Sequence, residues 1–226
     1  MVLIVIEEIN KRKVNPMPEF ELNLDELTEV IKNKITSETI LDFSDVVNFT
    51  NSIDREIFLS GIADGTGYYV DSYIRYWNKC DDKDNIPVEE RKPIKIYIDS
   101  PGGSLLDTFT MIDSIKMSKT PVWTIAIGCV YSGGFFTFIC GHKRFAYPHS
   151  SFLYHEGSNG SAGTAAQFEN YAAFYKRQLK QLKEVVINNT SITEDEYEKI
   201  KKDDIWYTSE DGVEKGFVDE IIGEFV

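Results

Sequence analysis

At 226 residues, with 42% hydrophobic and 27% charged residues, the chain can bury a full core in one α/β domain and is too apolar for a disordered polymer. A formal net charge of −13 excludes the basic footprint that captures nucleic acid or an anionic membrane. The three cysteines, Cys80, Cys129 and Cys140, have no CxxC spacing and no clustered histidines, which excludes a disulfide framework or a zinc site.

The opening Met-Val-Leu-Ile-Val-Ile is too short for a secretory segment and runs into Glu7 and Glu8. No stretch approaches the roughly 20 apolar residues of a membrane span. A soluble, cytoplasmic protein is the expectation. Residues 2–6 predict a short strand. A polar segment follows, and then an amphipathic helix with Leu24, Leu27, Val30 and Ile31 on one face. Residues 1–50 therefore read as an N-terminal extension, an interaction arm or a processed propeptide, ahead of a single domain at 51–226.

Within that domain the pattern alternates. Strands are expected at 56–60, 93–99, 122–128, 143–147, 152–155 and 217–222. Helices are expected at 68–79, 104–116, 133–140, 165–188, 193–202 and 208–215, the last closed by Gly216. The charged segment 81–92 reads as a surface insertion. Strands separated by helices of ten or more residues imply crossovers and a largely parallel sheet.

Ser132 falls between the strand at 122–128 and the helix at 133–140. A serine at such a turn is exposed on a rigid edge near the positive end of a helix dipole. Its hydroxyl is a weak nucleophile until a base removes the proton. His155, at a strand end, is the best candidate of the three histidines; His142 and His149 read as loop residues. The imidazolium needs an acidic partner, and Asp203 and Asp204 are both suppliers. The turn Ser100-Pro101-Gly102-Gly103 joins a strand to a helix, and one of its glycine amides together with the Gly133 N–H would form a two-donor oxyanion hole. No metal or nucleotide motif is present, so no cofactor is expected. The aromatic residues of 168–175 read as packing or inter-subunit contacts.

These segments, taken in order, resemble the Clp protease proteolytic subunit family. The resemblance runs from about Asp54 to Ile222. It rests on Ile96-Tyr97-Ile98-Asp99-Ser100-Pro101-Gly102-Gly103, on Gly128-Cys129-Val130-Tyr131-Ser132-Gly133-Gly134, on Lys143-Arg144-Phe145 with Pro148, on Phe152-Leu153-Tyr154-His155, and on Asp204-Ile205-Trp206-Tyr207-Thr208 with Gly216-Phe217-Val218-Asp219. It implies a crotonase-like ββα spiral core with a helix-and-strand handle at 157–188. It also implies a serine peptidase with Ser132 as nucleophile, His155 as base and Asp204, two before Trp206, as acid, with Gly103 and Gly133 as oxyanion donors. The family further implies a homo-oligomer of stacked heptameric rings, an ATP-dependent unfoldase as partner and unfolded polypeptides as substrates.

The sequence departs from the family at Gly133, where Met or Ala is common, and at Val130 and Tyr131, where residues are small. The segment 81–92 is longer than expected, and 1–50 does not match. Three other readings stay open: a maturation protease cutting few sites, a non-catalytic ring scaffold, and an acyl-CoA enzyme on the same core.

Overall fold

Ile94, Ile96 and Ile98 alternate with Lys95, Tyr97 and Asp99, and all three isoleucines are buried on one face of a strand. In the computed structural model, which describes residues 54–157 and 160–226, this strand is β2 (Ile94–Ser100). It lies between β1 (Glu56–Leu59) and β3 (Val122–Tyr131), parallel to both. The sheet continues in parallel through β4 (Lys143–Ala146) to β7 (Glu220–Ile221). A branch leaves β3: β5 (Ser151–Tyr154) pairs parallel with its far end, and β6 (Ile205–Thr208) pairs antiparallel with β5.

The crossovers are α1 (Thr66–Lys83), α2 (Leu105–Met117) and α3 (Gly133–Phe138). Between β5 and β6 run α4 (Ala165–Asn189) and α5 (Glu194–Ile200), and α6 (Ser209–Glu214) leads to β7. Val70 and Ile74 of α1, Met111 and Ile115 of α2, and Phe135 and Phe138 of α3 bury against the isoleucine face of β2 and its neighbours. Tyr97, Ile125 and Phe145, alternate residues of β2, β3 and β4, form a smaller cluster with Ile222 just past β7. At the α1–α2 crossing, Asp107 accepts the amides of Gly65 (3.0 Å) and Gly67 (2.8 Å) and the Ser104 hydroxyl (2.6 Å). The Ser104 hydrogen bond, then those amides, hold its carboxyl below the usual range.

β3 decides where the elements carrying Ser132 and His155 go. Its Trp123–Ala126 stretch pairs with β4 and its Cys129–Tyr131 stretch with β5. Between them the register against β2 slips, with Ile98 opposite Ala126 but Ser100 opposite Val130. The bulge is filled by the Asp99 carboxylate, which accepts the Cys129 N–H at 2.9 Å.

Several expectations are corrected. The strand expected at 122–128 runs to Tyr131, so Ser132 follows it directly, and the helix expected at 133–140 ends at Phe138. The helix expected at 68–79 spans Thr66–Lys83. The segment expected on the surface is exposed over most of 82–90, but its two ends are anchored: buried Asp81 accepts the Thr120 hydroxyl at 2.7 Å, and buried Arg91 reaches Asp82 at 2.5 Å and the Ile86 carbonyl at 3.1 Å. The strand expected at 217–222 shrinks to two residues, because the Phe217 and Val218 amides turn back to the Gly212 carbonyl to close α6. β6 was not expected. The helix of the handle is α4, while residues 155–157 and 160–164 form no strand in this single chain. The strand at 2–6 and the helix around 24–31 lie outside the described residues. Among the described residues, no helix is long and apolar enough to cross a membrane.

Candidate active site

Ser132 leaves β3 with φ 55° and ψ −120°, a conformation that suits glycine and costs a side-chain-bearing residue on the order of 1–3 kcal/mol. The surroundings enforce it: the Ser132 N–H donates to the Leu153 carbonyl of β5 (3.0 Å), and its carbonyl accepts from Phe136 (3.2 Å) in a helix whose residues are all buried. A serine at a helix N-cap ordinarily spends its hydroxyl on an amide of the first turn. Ser104, Thr164, Thr193 and Thr208 do so at the starts of α2, α4, α5 and α6. Ser132 does not; its side chain makes no cap hydrogen bond. A helix start is thus bent into a strained turn with its hydroxyl left free of the usual duty.

The glycine turn packs beside it. Gly102 and Gly103 have φ of 97° and 146°, which a larger residue resists. A side chain at Gly102 would lie 2.6 Å from the Ser132 Cβ and 3.0 Å from the Gly133 nitrogen, so the two turns touch through bare backbone. Ile62 bridges Gly103 in parallel fashion: its N–H donates to Gly102 O (3.1 Å) and its carbonyl accepts from Ser104 N (2.7 Å). That bridge directs the N–H of Gly103 itself away from Ile62.

His155 follows β5, and Asp204 precedes β6. The antiparallel register pairs Tyr154 with Ile205, so the next pair outward is His155 with Asp204. Their Nδ1 and Oδ1 atoms are 3.6 Å apart, in ion-pair range but beyond a hydrogen bond. Asp203 instead closes α5, its N–H on the Ile200 carbonyl at 3.0 Å. Of the other histidines, His142 uses Nδ1 to accept the Val122 N–H at 2.9 Å, and His149 is exposed. Behind the serine turn, Tyr131 bonds the Ser151 hydroxyl at 2.7 Å and packs edge-on against Trp206, tying β3, β5 and β6 together.

Ser132, Gly133, Gly103 and His155 line one cavity of about 510 Å³. Its far wall includes Tyr171, Phe174 and Tyr175 of α4, with the Tyr175 hydroxyl fixed on the Glu156 carbonyl at 3.0 Å. Leu105, Leu106 and Phe136 add apolar surface. The sequence reading gave these aromatics to packing or inter-subunit contacts; helical spacing alone does not distinguish either from a cavity wall. Thr108, also on this cavity, was missed, because nothing along the chain links position 108 to 133. Among the described residues no cluster of three or more His, Cys, Asp or Glu side chains is placed to hold a metal.

Comparison with known proteins agrees in kind. The family model described as Clp protease matches residues 87–225, more than half of the chain. The ATP-dependent Clp protease proteolytic subunit 2 of Treponema denticola is 33% identical over 132 residues, covering 58% of this chain and 66% of its own length. Subunit 2 of Treponema pallidum is 30% identical over 133 residues, covering 58% and 67%. Subunit 1 of Corynebacterium jeikeium is 32% identical over 133 residues, covering 58% and 71%. The chain spans about two thirds of the length of the curated relatives it matches.

Proposed function

The chain belongs to the Clp protease family, and on that premise we propose that it is a serine endopeptidase with Ser132 as nucleophile, His155 as base and Asp204 as orienting acid. The observation that carries this reading is the uncapped hydroxyl of Ser132, on a strained turn, lining the same cavity as His155. The β5–β6 register supplies Asp204 to His155 from behind.

In the reaction, His155 takes the proton of Ser132 as its oxygen adds to the substrate carbonyl carbon. The oxyanion is received by the amides of Gly103 and Gly133, donors that need no rearrangement. His155 then gives its proton to the leaving amine, the peptide bond breaks, and an acyl-serine remains. Water, deprotonated by the same imidazole, hydrolyses that ester and restores Ser132. Asp204 keeps the imidazole in the right tautomer and stabilises its cation. The 3.6 Å separation shortens once substrate fills the cavity, as catalytic hydrogen bonds commonly do on binding. The wall of Leu105, Leu106, Phe136, Tyr171 and Phe174 suits apolar side chains of an extended, unfolded polypeptide.

The relatives named ATP-dependent Clp protease proteolytic subunits support further parts of the reading. Residues 51–226 are the peptidase domain. The chain works in the cytoplasm as a homo-oligomer of stacked heptameric rings, fed by an ATP-dependent unfoldase, with 1–50 as an added arm. The experiment is paired: hydrolysis of a fluorogenic peptide and of unfolded casein, with particle shape read by electron microscopy. The reading expects both substrates cut by double-ring particles, and loss of both activities in His155→Ala. A folded, assembled protein that cuts neither sinks it.

A further inference from the structure

Gly133 is seated in a socket built by two residues of other segments. A Cβ at this position would lie 2.5 Å from the Thr108 hydroxyl oxygen, 3.0 Å from the Ile62 Cδ1 and 3.6 Å from the Gly103 nitrogen. Thr108 is fully buried in α2. Its hydroxyl donates to the Ser104 carbonyl at 2.8 Å, and its own N–H reaches the same carbonyl at 3.0 Å. The hydroxyl is therefore held and cannot swing aside cheaply. Ile62 has its backbone bridged across Gly103 and its side chain buried in the core, which leaves Cδ1 little room to give.

Ile62 thus touches both turns, bracketing Gly103 and meeting Gly133, while Thr108 meets Gly133 directly and reaches the Gly103 turn through the Ser104 carbonyl. We propose that Thr108, seconded by Ile62, is a positioning residue that gauges the gap between the Gly103 and Gly133 amides. On this account glycine follows Ser132 here because threonine already occupies the volume that a side chain at 133 would need. The volume has passed from the serine turn to α2, and the spacing of the donors is set from there. This inference rests on the serine-peptidase reading of the site.

The consequence is a coupling of unusual sign. Gly133→Ala drives a methyl into the Thr108 hydroxyl, so the amide beside Ser132 must shift. Misplacing an oxyanion donor by a fraction of its hydrogen-bond length costs about 100-fold in rate. Thr108→Ala removes the spacer and lets the Gly133 turn relax toward α2, with a loss of about tenfold. Joined in one chain, the two changes fit each other. The double variant should recover at least about tenfold over Gly133→Ala, as directly coupled neighbours do.

The test measures the rate of Ser132 phosphonylation by a fluorophosphonate, in which the serine oxygen displaces fluoride, with peptide kcat and KM, and thermal midpoint for the full-length wild type, Gly133→Ala, Thr108→Ala and the double variant. The gauge predicts that phosphonylation rate and kcat move together while KM stays within about twofold. A purely structural role would move the midpoint without this pattern. The gauge is overturned if folded Gly133→Ala is phosphonylated as fast as wild type, or if the double variant is no faster than Gly133→Ala. Should Gly133→Ala not fold, Thr108→Ala decides: unchanged kcat overturns the gauge, and lowered kcat at constant KM supports it. A wild type that takes no label overturns the peptidase reading and the gauge with it. Failure of the gauge alone leaves wild-type labelling intact.

Discussion

The two halves of the site are built differently. The serine half, from the end of β3 through α3, is embedded in the core: every residue of α3 is buried, and the Ser132 backbone is pinned at both ends. The histidine half sits on the β5–β6 ribbon at the branch of the sheet, with His155 29% and Asp204 66% exposed in their side chains. The expensive conformation, positive φ at a serine, is thus placed where packing can hold it. The groups that exchange protons in the proposed reaction are placed where solvent reaches them. Strain belongs to the dense half and solvent access to the open one.

That contrast breaks most visibly in activity. Ser132→Ala should lower peptide hydrolysis on the order of 10³-fold or more, measured with a fluorogenic peptide on folded protein. Ser132→Gly should be as inactive yet raise the thermal midpoint by about 2–4 °C over Ser132→Ala, because glycine relaxes the turn. An unchanged midpoint would mean that the turn stores no strain. Asp204→Asn should cost less, about 100-fold in kcat, since water can reach and partly solvate the imidazolium. A loss equal to that of Ser132→Ala would show the acid half to be as rigid as the serine half.

Smaller effects probe what supports the serine half. A side chain at Gly128 would overlap the Asp99 carboxylate in the β3 bulge. Gly128→Ala should therefore destabilise by about 1–3 kcal/mol in denaturant titration, as overpacking does, and lower kcat because the bulge aims Ser132. The smallest effect concerns Asp107, whose carboxyl is held low by Ser104 and the glycine amides. Because the folded state lowers its pKa, its stabilisation is present above the unfolded value near 4 and is lost as pH falls through the folded value. Asp107→Asn should lower the midpoint at pH 7 by about 2–4 °C, with the gap from wild type closing as pH falls through the lowered folded value.

The sequence made the dense half more legible than the open one. Alternating isoleucines announced β2, and Ser100-Pro101-Gly102-Gly103 and Ser132-Gly133-Gly134 marked two turns that indeed touch. Those signals are local: apolar periodicity and glycine at the positions that need it. β6 was hidden because its four residues follow the charged run Lys201-Lys202-Asp203-Asp204 and gain strand character only by pairing with β5. The choice of Asp204 over Asp203 came from the resemblance, not from residue chemistry; the register that sets Asp204 against His155 exists only in three dimensions. Asp81 and Arg91 misled because charge reads as surface, whereas hydrogen bonds to Thr120 and Asp82 bury them. The bulge joins Asp99 to Cys129, and the socket joins Thr108 to Gly133; no periodic pattern encodes a contact over such a separation.

The account stands on Ser132 being the one activated hydroxyl. It is tested most directly by treating the folded full-length protein with a fluorophosphonate and mapping the adduct by peptide mass spectrometry. One adduct per chain is expected, on Ser132, absent in Ser132→Ala and strongly slowed in His155→Ala. A folded protein that takes no adduct, or takes it on another residue at the same rate with or without His155, contradicts the account.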